Sequence, residues 1–226
     1  MSDLNGKAMD LVRDAAALLL LEKGAVTANV KSPYRLTSGN FSPIYIDCRK
    51  MISDLTFMRL FTVFAGSLVV GEKIRADLVA GGETAGIPFA AFVSRELAVP
   101  MIYVRKASKD HGIQSRIEGC SPQGLEVLLV EDLITDAQSK MAFIEAIANS
   151  GGTVRNVLVV FDRQQGGREA LLSSSINLYS MTDLSCVLSL AKSLGHFSEP
   201  DMESILKYLA DPRAWHEERG FAFKRE

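Results

Sequence analysis

The chain has 226 residues, enough for one large domain with appendages and enough to bury a sizeable core. Hydrophobic residues make up 47% and charged residues 23%, an ordinary globular mixture that excludes disordered and fibrous classes. Lys plus Arg number 25 against 27 Asp plus Glu, a net charge of −2, so no global basic field draws nucleic acid to the surface. Cys48, Cys120 and Cys186 lie far apart, with no C-x-x-C pair and no histidine at ligand spacing, which argues against disulfides and zinc. The first residues lack the basic and apolar regions of a leader, and the longest apolar stretch, 15–21, is too short for a bilayer. The expectation is a cytoplasmic protein with neither a membrane nor a nucleic-acid partner.

In chain order, residues 3–23 read as a helix, with Ala8, Leu11, Val12, Ala15, Ala16 and Leu19 at helical spacing and Gly24 as the stop. Residues 34–36 and 44–48 read as two short strands around the Ser38-Gly39-Asn40 turn. Ser53 is the expected N-cap of a second helix that buries Leu55, Met58, Phe61, Phe64, Ala65 and Leu68. From Asp77 onward, short apolar runs at 78–80, 101–104, 127–130, 157–161 and 177–181 alternate with helices at 86–97, 138–149 and 167–174. Continuous apolar strands separated by helices are buried on both faces, hence parallel. The predicted fold is a doubly wound, mostly parallel α/β sheet flanked by helices, with its ligand site beyond the carboxyl ends of the strands. A single domain is expected: an N-terminal hood of helices and short strands over 1–75, the core over 76–182, and a helical tail over 183–226. Leu206, Tyr208, Leu209 and Trp215 would pack that tail back onto the body.

The clearest chemical signal is Val127-Leu128-Leu129-Val130-Glu131-Asp132-Leu133-Ile134-Thr135-Asp136-Ala137-Gln138-Ser139-Lys140. A buried strand ends in two carboxylates, and a hydroxyl-bearing turn then opens a helix whose N–H groups can cradle an anion. Carboxylates beside a phosphate cradle repel it unless something lies between. A ribose diol or a Mg²⁺ ion fits that gap, and a phosphorylated sugar supplies both. The second signal is Arg105-Lys106-Ala107-Ser108-Lys109-Asp110-His111-Gly112, followed by Arg116, a basic loop leaving a strand at the expected ligand edge. It suits a polyanion.

Together these segments resemble the type I phosphoribosyltransferases, and their orotate branch in particular. Residues 131–139 look like the motif that binds phosphoribosyl pyrophosphate (PRPP), and residues 105–112 are similar to the orotate branch's basic loop. Leu36-Thr37-Ser38-Gly39, Ser42-Pro43-Ile44-Tyr45-Ile46-Asp47, residues 80–88 and Phe161-Asp162-Arg163-Gln164 also match, in family order. The resemblance implies displacement of pyrophosphate from PRPP by a ring nitrogen of orotate, with Mg²⁺ as cofactor. It implies that Arg105, Lys106, Lys109 and His111 stabilise the departing pyrophosphate. Lys109 and His111 would reach the partner's site in a homodimer with shared active sites. Glu131 and Asp132 would hold the ribose hydroxyls and favour the cationic ribosyl centre. Mg²⁺ would ride on PRPP, water-bridged to these two and bound directly by no side chain. Leu133 and Ile134 would belong to the PRPP-binding stretch, and Thr135, Asp136, Ala137, Gln138 and Ser139 would seat the 5′-phosphate; Thr135, Arg163, Tyr45 and Ile46 would meet orotate.

The chain departs from the family in places. Thr37 and Ala85 stand where some orotate enzymes carry lysine, and Ala137 and Gln138 where the phosphate turn usually carries small residues, often glycine. Ala137 is small, so backbone strain is expected at Gln138. Gly81-Gly82 is no dinucleotide fingerprint and reads as a tight turn near pyrophosphate. His196, His216 and Cys120 read as packing or surface residues. The rival readings are transfer to another base, such as a purine, or a PRPP-sensing regulator. The intact basic loop and the single N-terminal helix disfavour the sensor.

Overall fold

A computed structural model describes residues 2–36, 38–107 and 116–224, with side chains from residue 6 onward. Helix α1 (Ser2–Glu22) buries Ala16, Ala17, Leu20 and Leu21 on one stripe, while Leu11 faces solvent. Strand β1 (Val26–Ala28) follows, then β2 (Tyr34–Arg35), β3 (Phe41–Ser42) and β4 (Ile44–Ile46). The expected partners 34–36 and 44–48 do not pair. Tyr34 faces Ser42 across the turn, and Tyr45 instead faces Thr27 of β1. Pro43, which has no N–H to donate, separates β3 from β4 and releases the chain to a second ladder.

A 3-10 helix (Cys48–Ser53) replaces the end of the predicted strand. The cap of helix α2 (Leu55–Gly71) is Asp54, whose carboxylate accepts the Phe57 N–H at 3.0 Å; Ser53 closes the preceding turn. The buried stripe of α2 is Phe57, Met58, Phe61, Phe64, Ala65 and Leu68, and Leu55 is exposed, against expectation.

The core alternates as predicted, with one strand, β7, that was not predicted: β5 (Leu78–Gly82), α3 (Gly86–Leu97), β6 (Met101–Val104), β7 (Ile117–Glu118), β8 (Glu126–Ile134), α4 (Gln138–Asn149), β9 (Thr153–Asp162), α5 (Gly167–Ser173) and β10 (Asn177–Asp183). Strand order is β10-β9-β8-β5-β6-β7, parallel except for β7, which runs antiparallel to β6 at the edge. Successive residues point to opposite faces. Leu128 and Val130 join the layer under α1, α2 and α3, while Val127 and Leu129 join the layer under α4 and α5. The chain runs outward from β5 to β6 and then returns to the other side of β5 with β8. That reversal opens a crevice at the carboxyl ends of β5 and β8, where ligands bind in such sheets.

The tail forms α6 (Leu184–Ser193), α7 (Glu199–Ala210) and α8 (Pro212–Glu218). Trp215 and Tyr208 are buried, with the indole N–H donating to Ser204 at 3.0 Å, but Leu206 is exposed rather than packed. Among the described residues, no helix is long and apolar enough to cross a membrane.

Candidate active site

The two adjacent carboxylates at the end of β8 have different environments. Glu131 is buried: one oxygen lies 2.9 Å from the Lys140 ammonium on α4, and the other accepts the Gly82 N–H at 2.9 Å. A Cβ at Gly82 or Gly86 would fall on Glu131 Oε1, so the carboxylate is clamped between β5, α3 and α4 by glycines that make room for it. Burial pushes the Glu131 carboxyl above its ordinary value, and Lys140 works against that shift. Asp132 lies half-exposed in the crevice. The pair therefore has two settings along one cleft: Glu131 ties three elements together, and Asp132 is the more exposed of the two.

After β8, Asp136 accepts the Gln138 N–H at 3.0 Å, and α4 begins without a side-chain cap. Thr135 and Ser139, on either side of that helix start, line the cleft, and an uncapped first turn offers backbone donors to an anion there. The positive φ falls on Ala137 (69°), not on Gln138, which begins α4 with an exposed side chain. Ala137 and Ile134 are buried. Neither they nor Gln138 line the cleft with the other residues of the turn.

The cleft holds about 810 Å³, and its lining includes Lys106, Glu131, Asp132, Leu133, Thr135, Asp136 and Ser139. Tyr45 and Ile46 of β4 and Arg163, just beyond β9, line it as well. The backbone of Arg163 is fixed by its N–H on the Ile134 carbonyl at 3.0 Å. Lys106 N–H donates to Glu83 at 2.8 Å, which holds the root of the basic loop beside the turn after β5. Arg105 is not among the lining residues; its guanidinium lies 4.0 Å from Glu118 on β7. Lys109 and His111 lie outside the described residues, as does Thr37.

Sequence reasoning missed Arg35, Asn40, Glu83, Lys140, Tyr208 and Phe223, all of which line the cleft. Lys140 carried a signal: a lysine in the first turn of a helix opposes the dipole and so calls for a carboxylate partner. Asp47 and Arg49 add a further lining pair. The Arg49 guanidinium grips both Asp47 oxygens, at 2.6 and 2.9 Å, and holds that carboxyl below its ordinary value. Among the described residues no cluster of three or more His, Cys, Asp or Glu could hold a metal ion. The cleft suits an elongated molecule, with a phosphate at the 135–139 turn, a diol at Asp132 and an anionic planar group near Arg163 and Tyr45.

A family model of the phosphoribosyl transferase domain matches residues 68–173. An orotate phosphoribosyltransferase of Ruegeria sp. is 43% identical over 209 residues, covering 89% of this chain and 91% of the relative. The crystal structure of orotate phosphoribosyltransferase from Aeropyrum pernix superposes with a TM-score of 0.68 at 31% identity, covering 80% of this chain and 99% of that one. Leishmania donovani UMP synthase gives a TM-score of 0.75 at 26% identity; the match covers 87% of this chain but only 42% of that longer protein. Likeness over nine-tenths of a relative, added to a cleft built from the expected turn and strand ends, settles the lineage: the chain belongs to the orotate phosphoribosyltransferase family.

Proposed function

We propose that this chain transfers the 5-phosphoribosyl group of PRPP to orotate, giving orotidine 5′-monophosphate and pyrophosphate in de novo pyrimidine (UMP) synthesis. One observation carries the reading: a single cleft joins the anion-binding turn at 135–139, the Asp132 carboxylate and Arg163. As the C1′–pyrophosphate bond breaks, positive charge grows on the ribosyl ring and negative charge on the leaving group. Asp132 faces the ring and stabilises the former while accepting the ribose hydroxyls. Lys106, with Lys109 and His111 from the same loop, stabilises the latter. Glu131 acts by position, holding the turn after β5 to the start of α4.

Arg163 pairs with the orotate carboxylate, and Tyr45 and Ile46 bound the pyrimidine plane. The ring nitrogen of orotate supplies the electron pair that forms the new bond. Mg²⁺ would supply charge neutralisation of the pyrophosphate, and Asp132 would hold it through water. Arg105, turned toward Glu118, stands back from this chain's own cleft. Lys106, at the root of the loop, lines its own cleft, while Lys109 and His111 further along serve the neighbouring site of a homodimer. Three free cysteines fit a reducing, cytoplasmic setting.

Purified protein given PRPP, Mg²⁺ and a panel of orotate, uracil, adenine and hypoxanthine tests the reading. Only orotate should yield a nucleotide. A purine nucleotide would overturn the choice of base, and PRPP binding with no product from any base would point to a sensor.

A further inference from the structure

The two ends of the chain, both outside the matched stretch 68–173, meet over the cleft. Hood strands β2 and β3 hold two residues each. A ladder that short has no stability of its own, so its place must be fixed from outside. The tail supplies the fixings. Asn40, in the hood turn, exchanges two hydrogen bonds with the backbone of Lys224: its Nδ2 donates to the carbonyl at 2.9 Å, and its Oδ1 accepts the N–H at 2.8 Å. The Phe41 N–H donates to His216 Nε2 at 2.9 Å, and the Phe41 ring stacks on Phe221 with centroids 4.4 Å apart.

His216 is wholly buried, with its other ring nitrogen 2.6 Å from the Pro212 carbonyl. Because Nε2 accepts the hydrogen bond of the Phe41 N–H, the N–H of a neutral imidazole sits on Nδ1 and donates to the Pro212 carbonyl. One ring thus links the hood to the start of α8. Trp215 lies under it at 5.3 Å, and Arg219 covers the indole at 4.2 Å, so the link rests on a packed base. The cleft wall completed in this way joins Arg35, Leu36 and Ser38 of the hood with Tyr208, Pro212 and Phe223 of the tail. Phe223 also packs against His216, at 5.1 Å.

We propose that the tail segment 212–224 is a specificity element for the acceptor base: Phe223 forms a wall of the base pocket, and His216 is a positioning residue that holds the hood turn against it. The proposal rests on the transfer to a base proposed above. The shared 68–173 region carries the sugar-phosphate turn, the part that a common donor requires. Tyr45, Ile46 and the hood–tail clasp come from the flanks, which are free to suit one acceptor. The ligand chemistry is that of a flat heterocycle, for which an aromatic wall gives contact without a hydrogen-bond demand.

Steady-state kinetics of the full chain with orotate, PRPP and Mg²⁺ test this in Phe223→Ala, His216→Leu and His216→Gln, alongside thermal unfolding. Phe223→Ala should raise the orotate KM about tenfold, with kcat and the PRPP KM within about twofold of the parent. His216→Leu should move the same constant in the same direction. His216→Gln, which keeps an acceptor for Phe41, should recover most of the loss. If His216→Leu fails to fold, Phe223→Ala and a chain ending at Ala222 carry the test. An orotate KM unchanged in Phe223→Ala, or a PRPP KM that rises equally, overturns the proposal. Should the parent prefer another base, the reading of the substrate fails first, and the same variants measured with that base still decide the role of the tail.

Discussion

Replacing Lys140 by methionine keeps the length of the side chain and removes its ammonium, which leaves the Glu131 carboxylate inside without a cation. The two side chains are 9% and 5% exposed and 2.9 Å apart, so water does little to share the charge. Removing one partner of such a pair costs about 3–5 kcal/mol. Protonation sets a ceiling, since neutralising an ordinary glutamate at about pH 7 takes about 2.7 pH units at roughly 1.36 kcal/mol each, or about 3.7 kcal/mol. The variant should therefore lose about 3–4 kcal/mol near neutrality, a fall in Tm of about 6–16 °C for a chain of this size.

The deficit has a defined pH dependence. With Lys140 gone, the folded-state carboxyl of Glu131 lies further above its unfolded value than in the parent. A raised folded value means stability present at low pH and lost as pH climbs through it. Relative to the parent, the loss should shrink by about 1.4 kcal/mol per pH unit on acidification and approach zero near the unfolded glutamate value, about pH 4. Urea unfolding of both proteins across that range measures it. Adding Glu131→Gln to the variant should restore most of the stability, because the amide oxygen still accepts the Gly82 N–H. A loss under about 1 kcal/mol at neutral pH, or one that ignores pH, would refute the buried-pair reasoning.

Ala137→Gly relieves a left-handed residue by about 1–2 kcal/mol but gives up about 0.4–1 kcal/mol in unfolded-state entropy and about 0.8 kcal/mol for a buried methyl, so thermal unfolding should show a change within about 1 kcal/mol. Gln138→Gly, at an exposed helical position, should cost up to about 1 kcal/mol of stability and leave PRPP affinity by calorimetry within about twofold; a larger affinity change would return Gln138 to the phosphate site. Lys109→Ala should lower turnover about 10²-fold, the scale of one preorganised transition-state donor, and a change under about threefold would remove it from the leaving-group clamp. Mixing Lys109→Ala chains with Asp132→Ala chains should regain activity if the loop crosses a dimer. An inactive hybrid whose mass confirms the pairing would place the loop over its own subunit's cleft.

The α/β core was legible because strands buried on both faces are written as short apolar runs, and the helices between them carry their own periodicity. The hood was not, since strands of two or three residues have no period to read and their partners are chosen by tertiary contacts. Ser53 and Asp54 are both competent caps side by side, and only the 3-10 turn before them decides which is used. The tail's part in the cleft was hidden for a related reason: Asn40 and Lys224 are 184 residues apart, and nothing local in either announces the other. At the site, residue type placed the turn before α4, but β8 runs on to Ile134, four residues past the expected end at Val130, because polar Glu131 and Asp132 continue its ladder with β9. The different settings of Glu131 and Asp132, the first buried against Lys140 and Gly82 and the second half-exposed, could not be read from two adjacent acidic letters, although both line the cleft. The backbone strain was placed one residue late because the size of Ala137 was weighed and its φ could not be.

A crystal structure with orotidine 5′-monophosphate bound tests the central claim most directly, since that product carries both halves of the reaction. The 5′-phosphate should sit on the 135–139 turn at the start of α4, the ribose hydroxyls at Asp132, and the base carboxylate at Arg163 between Tyr45 and Phe223. A nucleotide seated elsewhere, or one with its base carboxylate turned toward Lys106, would contradict the assignment of the two ends of the cleft.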